Sequence, residues 1–304
     1  MGNDLEFIAF DIECSVNFND YCEICLFGYV RTDCNLNEID HGEIYVNAKR
    51  PHGKLKKLLQ NVDFEKVELA PDYRQQYREI MDILNTNNAI LVAHSADSDL
   101  RFLFYQNERF ALDNFSGRVF DTLRMAIDHS PELNNHSVIQ LCKSWNIEHE
   151  IEHEALSDAY SCIHFIKHIS ETDHVSPVDV FNTYKEKSYI DSEEVYRQIV
   201  KRRLKKKLDN LAVHRRIPNT ICFCLDEPFE MEKVEQAEEL AWTIIDLGCN
   251  FSFRLALSDY LIADENSMSK KYQYAVMKGI EIISPEQVEE FIYNNRTDIK
   301  ITYK

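Results

Sequence analysis

The chain has 304 residues, 44% of them hydrophobic and 11% aromatic, which is long for one domain, comfortable for two, and too apolar for wholesale disorder. Its 34 basic and 52 acidic residues leave a net charge of −18, which counts against a general grip on phosphate backbones because the average field repels polyanions. MGNDLEFIAF lacks a basic leader region, no segment approaches transmembrane length, and nine cysteines come without a secretory signal, so a cytoplasmic protein with reduced thiols and no membrane contact is expected.

In chain order, LEFIAFDI, CLFGYVRT and GEIYVNA read as three strands, with β-branched and aromatic residues enriched in the third. Tyr73, Tyr77, Ile80, Met81 and Leu84 recur at helical spacing over residues 72–84. NAILVAH is a buried-strand pattern, followed by the helical run LRFLFYQNERF; residues 137–145 and 155–169 are also helical. The alternation predicts an α/β domain over residues 1–172, with its elements from about residue 5. Residues 173–216 read as a connector. Its part 192–212 is an amphipathic helix with Tyr196, Ile199, Val200, Leu204, Leu208 and Leu211 on one face and KRRLKKK on the other. Two readings of that basic run, a solvated helix face or a phosphate contact through Lys201, Arg202 and Arg203, stay open. The pattern restarts over 217–304: strand TICFCL, helix KVEQAEELAWTIIDLG, then FSFRLALSDYLIA, helix KKYQYAVMKGI, strand EIIS and helix PEQVEEFIYNN.

Acidic residues fall at informative places. Asp11 and Glu13 are two apart on the first strand, so they share a face, and they sit at its C-terminal end, where ligand sites of open α/β sheets lie. Asp99, in AHSADSD, falls near a strand-to-helix junction, and Asp158 falls on the helix that starts near Ala155, five residues after His153. Asp97 or Ser98 is expected to cap the LRFLF helix, and Asp121 to cap a helix or support the site without being a ligand. Cys22 and Cys25 form a lone CxxC on a strand and are expected to be structural thiols. HEIEH, residues 149–153, formally matches the zinc-protease pattern, with Glu171 as a third ligand, but that reading leaves Asp11, Glu13 and Asp99 unexplained.

FDIEC, AHSADSD, FDTL and HEALSD, in this order, resemble the DnaQ-like (DEDDh) 3′–5′ exonucleases, the superfamily of the proofreading epsilon subunit of bacterial DNA polymerase III. The resemblance implies a ribonuclease H-like fold, a mixed sheet with helices. It implies that Asp11, Glu13, Asp99 and Asp158 hold two Mg²⁺ or Mn²⁺ ions and that His153 is the general base taking a proton from the attacking water. The implied reaction acts at nucleic-acid 3′ ends and releases nucleoside 5′-monophosphates, on DNA in proofreading or repair or, alternatively, on short RNA. Cys14, His94 and Ser95 fall where the substrate would be contacted. Ser95 and Ser98 replace a common Asn and Phe, and Cys14 a threonine, which leaves the ligand set whole but alters support for the terminal nucleotide.

Residues 217–304 resemble a BRCT domain through Gly248, SDYLIA, Lys271 four residues before Ala275, Gly279-Ile280 and IISPEQVEEFI. That implies a small α/β module and a protein partner. Lys271 matches the lysine of phosphate-binding members, whereas Cys224 and Leu225 replace the Ser/Thr and Gly of the pocket, so a weak phosphate reader is expected. A non-enzymatic adaptor would show lost ligands, and none is lost.

Overall fold

The computed structural model describes residues 5–17, 21–48, 62–148 and 154–295. It forms two compact units, Met1–Tyr196 and Arg197–Lys304.

The first unit is built on strands β1 (Glu6–Asn17), β2 (Tyr21–Asp33) and β3 (Glu38–Tyr45). Helices α1 (Phe64–Leu69) and α2 (Tyr73–Leu84) follow, then β4 (Ala89–Ala93), α3 (Ala96–Phe110), β5 (Arg118–Asp121) and α4 (Thr122–His129). The unit continues with α5 (Val138–Trp145), α6 (Ala155–Asp173), α7 (Pro177–Ser188) and β6 (Tyr189–Asp191). Its sheet has the order β3-β2-β1-β4-β5-β6. The β1–β2–β3 meander is antiparallel, β4 and β5 run parallel to β1, and β6 closes the edge antiparallel to β5. This is the mixed sheet with helices that the sequence predicts.

Alternation along β1 sets the layers. Phe7 and Ala9 join the core formed with Ala159, Cys162, Ile163 and Ile166 of α6, so odd-numbered positions face α6, and Asp11 and Glu13 continue that row. Helix α6 comes close because of a glycine. A Cβ on Gly28 would lie 2.4 Å from the Leu156 nitrogen and 2.5 Å from the Ala155 carbonyl carbon. Gly28 pairs with Asp11 across the β1–β2 ladder, so the first turn of α6 is seated beside the Asp11 row.

Residues 173–191 belong to this unit and not to a connector. Ser176 and Asp179 close a capping box at α7, Val180 and Phe181 enter the α6 core, and β6 pairs with β5. Helix α8 (Ser192–Leu211) begins in the first unit, where Tyr196 meets Phe104 edge-on, and continues in the second, where Leu208 enters the core. Its buried positions do not share one face as the sequence predicts. Val195 and Ile199 are buried in its first half and Leu208 in its second, and the nine residues from Ile199 to Leu208 make about two and a half turns, which puts the two on opposite sides of the helix.

The second unit contains β7 (Cys222–Leu225), α9 (Glu227–Met231), α10 (Val234–Asp246), β8 (Asn250–Ser252), β9 (Tyr260–Ile262), α11 (Lys270–Lys278), β10 (Ile282–Ile283) and α12 (Val288–Asn294). Its four strands are all parallel, in the order β10-β9-β7-β8. Gly248 and Gly279 stop α10 and α11 at positive φ, 82° and 67°, as helix-ending glycines do.

Candidate active site

β1 extends past the C-terminal end of its parallel neighbour β4, whose Val92 pairs with Ala9. Asp11 and Glu13 therefore lie beyond the β1–β4 pairing, still paired with Gly28 and Leu26 of β2, on the side that α6 covers. Asp158 comes from the first turn of α6, where the helix dipole favours a negative charge. One oxygen from each of Asp11, Glu13 and Asp158 can be chosen so that all lie within 4.8 Å of one another. Asp99, in the first turn of α3, is 4% exposed; the Ile12 backbone N–H faces it, and its charge is the strongest repulsion acting on Asp11.

Such crowding opposes ionisation. Burial, then Asp99, Glu13 and Asp158, push the Asp11 carboxyl well above its usual range. Burial and the Asp158 charge raise Glu13 to about 7, and burial likewise raises Asp99. Buried carboxylates that repel one another in this way are a site completed by divalent cations, since hard oxygen donors suit Mg²⁺ and Mn²⁺. The donor set fits a metal group.

The supporting shell is built from the ends of β4 and β5. Ser95 adopts the left-handed conformation (φ 64°) at the start of α3, and its N–H donates to the Asp121 carboxylate at 2.9 Å. Asp121 also accepts from the Leu123 N–H at 2.9 Å, capping α4. It is a cap and a clamp on the Ser95 turn. The expected Asp97 or Ser98 cap is not used: Asp97 lies inside the first turn, paired with Arg101 at 2.8 Å, and Ser95 holds the N-cap position without a side-chain bond.

His94 is a brace. One ring nitrogen lies 2.9 Å from the His136 carbonyl and so carries the proton; the other, 3.0 Å from the Thr122 hydroxyl, accepts. Burial lowers its pKa to about 4, so the ring is neutral. Cys14 is buried, and the Cys25 thiol donates to the Glu13 carbonyl with its pKa pushed to about 12, a structural thiol. The Cys22 side chain lies outside the described residues, as do His153 and HEIEH. Glu171, the proposed third zinc ligand, is exposed and lies 4.0 Å from Lys167 in an ion pair.

Asp11 and Asp158 open onto a cleft of about 590 Å³ whose walls include His94, Ser95, Leu123, Ile127, His136 and Val138. Sequence reading named His94 and Ser95 but missed Leu123, Ile127, His136 and Val138. The polar stretch Asn134–Ser137 before α5 was their only local signal, and Ile127, 47% exposed on α4, was visible only once the helix was placed. Lys201, Arg202 and Arg203 lie on the part of α8 in the second unit, whereas the carboxylates belong to the first. In the second unit, Lys271 donates to the Leu225 carbonyl at 3.2 Å and is ion-paired with Glu230, while the fully buried Asp226 accepts from the Ser267 and Ser269 hydroxyls.

The mixed sheet with its acidic cluster defines a ribonuclease H-like nuclease domain of the DEDD type. A family model described as Exonuclease (RNase_T) matches residues 4–166, and the chain belongs to that family. The PolC-type DNA polymerase III of Halalkalibacterium halodurans is 29% identical over 168 residues, covering 54% of this chain and 11% of the polymerase. That of Oceanobacillus iheyensis is 30% identical over 158 residues, covering 50% and 10%. The chain thus spans about a tenth of the length of these relatives. A full-length 3′-exonuclease crystal structure superposes with a TM-score of 0.50 at 13% identity, over 56% of this chain and 83% of that one, a likeness of fold.

Proposed function

We propose that the protein is a metal-dependent 3′–5′ exonuclease that trims single-stranded or frayed nucleic-acid ends to nucleoside 5′-monophosphates, with DNA as the main substrate. The observation that carries this reading is the convergence of Asp11, Glu13 and Asp158 within 4.8 Å beside a cleft, with Asp99 buried against them. DNA is favoured because the polymerase relatives share up to 30% identity with this chain. Two Mg²⁺ or Mn²⁺ ions, when bound, supply the charge that holds the attacking and leaving oxygens. Asp11, Glu13, Asp99 and Asp158 would hold them. Leu123, Ile127 and Val138 offer apolar area to the sugar and base, and His153 accepts the proton of the attacking water.

The test is digestion of matched DNA and RNA oligonucleotides with Mg²⁺, Mn²⁺ or EDTA, the products resolved as mononucleotides. Metal-dependent release of 5′-mononucleotides from the 3′ end, faster on DNA, is expected. His153→Ala should lose about a hundredfold or more in rate while still binding Mn²⁺ in calorimetry. Metal-independent cleavage, or cleavage of casein, would sink the reading.

For the second unit the proposed role is recruitment through a BRCT-like module that does not read phosphate. Two features support it: the all-parallel α/β sheet, and a Lys271 whose charge Glu230 already neutralises.

A further inference from the structure

The outer side of α11 reverses the usual pattern of a surface helix. Of its nine residues, Lys270–Lys278, only Ala275 is buried, packed with Cys224, Leu261 and Ala263. Caps hold both ends: the Ser269 hydroxyl accepts from the Tyr272 N–H at 2.9 Å, and Gly279 closes the helix at positive φ. The ion pair of Lys271 with Glu230 ties it to α9. The helix is thus secured by its ends and its inward side.

Turned to solvent are side chains that a surface helix ordinarily keeps inside. Tyr274, Val276 and Met277 are 48%, 60% and 68% exposed, and Met268, just ahead of the helix, is 86% exposed. Lys270, Tyr274, Met277 and Lys278 recur at i, i+4, i+7 and i+8, which is one face over two turns. Lys278 lies over the Tyr274 ring at 5.7 Å, and neither Lys270 nor Lys278 pairs with an acid among the described residues. The face is an apolar ridge with a cation at each end.

We propose that this face of α11 is the docking surface of the second unit, and that its occupant is an acidic amphipathic helix of a partner protein. The inference rests on the recruitment reading of that unit. Charge complementarity selects the occupant, because a cation at each end of the ridge asks for carboxylates flanking apolar side chains on the facing element. The ridge of one helix fits the groove of another, and the methionine adapts to what it meets. A second copy of the chain, paired face to face, would set Lys270 and Lys278 against like charges. Nucleic acid is disfavoured because residues 197–304 hold 17 basic and 17 acidic side chains, so these two lysines act without a cationic field around them.

The experiment measures fluorescence anisotropy of a labelled helical peptide of about 16 residues, with leucines at i, i+3, i+4 and i+7 and glutamates between, added to the full-length protein. A counterpart with lysine for every glutamate, and vesicles of phosphatidylserine and phosphatidylcholine, run beside it. The acidic peptide should bind and the basic one should not. Tyr274→Ser/Met277→Ser should weaken that binding at least about tenfold. Lys270→Glu/Lys278→Glu should lose the acidic peptide and take up the basic one. Both variants should keep the wild-type elution in size exclusion and mononucleotide release within about twofold. No binding of the acidic peptide, equal affinity for the two peptides, or vesicle binding in place of peptide binding would overturn the surface. So would a changed elution of either variant alone, which would assign the ridge to a contact of the chain with itself. An acidic peptide that binds equally well to both variants keeps the recruitment reading and overturns the α11 face. A phosphoserine peptide bound by the wild type and lost in Lys271→Ala, with the acidic peptide still requiring Tyr274 and Met277, has the opposite meaning: the phosphate-blind recruitment reading fails and the α11 face stands.

Discussion

At the scale of the residue, the carboxylates of Asp11, Glu13 and Asp99 favour hydrolysis at a cost in stability. Their raised pKa values mean that the metal-free fold prefers them protonated. That preference stabilises the fold fully below the unfolded carboxylate pKa and is lost as pH rises through the folded value, about 7 for Glu13. The thermal midpoint in EDTA should therefore fall between about pH 5 and pH 8, and Mn²⁺ should restore it most at the upper end. A midpoint that rises across that window would contradict the crowded-carboxylate description. Asp11→Asn removes a repelled, buried charge while keeping the shape. It should abolish turnover yet raise the EDTA midpoint by a few degrees, with about 1 kcal/mol corresponding to roughly 2–4 °C in a domain of this size. Scanning fluorimetry beside a mononucleotide-release assay reads both, and a lower midpoint with unchanged turnover would count against a ligand role.

At the scale of the element, the site depends on how closely α6 lies on β2. No side chain fits between Gly28 and the Ala155–Leu156 backbone, so Gly28→Ala must move the helix that carries Asp158. Overpacking of this kind costs about 1–3 kcal/mol, and a misplacement of about 1 Å at a catalytic group costs about a hundredfold in rate. Gly28→Ala should therefore lose Mn²⁺ affinity in calorimetry together with turnover. Wild-type metal affinity in a folded Gly28→Ala protein would show that α6 does not set the ligand spacing. The Ser95 turn acts in a similar way on α3: Asp121 holds its N–H, and the first turn of that helix presents Asp99.

At the scale of the whole molecule, the catalytic unit ends later than the strand and helix patterns imply. Ending the chain after Lys187 would remove β6, bare the edge of β5 and delete Ser192, whose hydroxyl accepts from the Gly117 N–H at 2.8 Å. That truncation should aggregate or melt early. A chain ending after Ala212 keeps β6 and all of α8, so it should fold and hydrolyse short oligonucleotides. Size-exclusion profiles and mononucleotide release from the two truncations test this, and the opposite ranking would place the boundary elsewhere. The same pair tests the second unit: its removal in the longer truncation should spare chemistry while impairing recruitment.

The sequence by itself determined the strands and helices that carry strong periodicity, the four carboxylates, and the restart of an α/β pattern near Ile217. These are local properties, because a two-residue or 3.6-residue repeat and the chemistry of a side chain do not depend on distant packing. It did not determine that α7 and β6 complete the first sheet, since three strand residues bear no period and only the free edge of β5 recruits them. Nor could it tell a substrate contact from a brace at His94. A histidine beside a strand end suits both, and only the tertiary structure shows its ring held between Thr122 and His136 at the wall of the cleft. The spacing of Asp158 from Asp11 and Glu13 and the repulsion that raises the pKa values of Asp11 and Glu13 come from tertiary structure. Each depends on which distant segments the chain brings into contact.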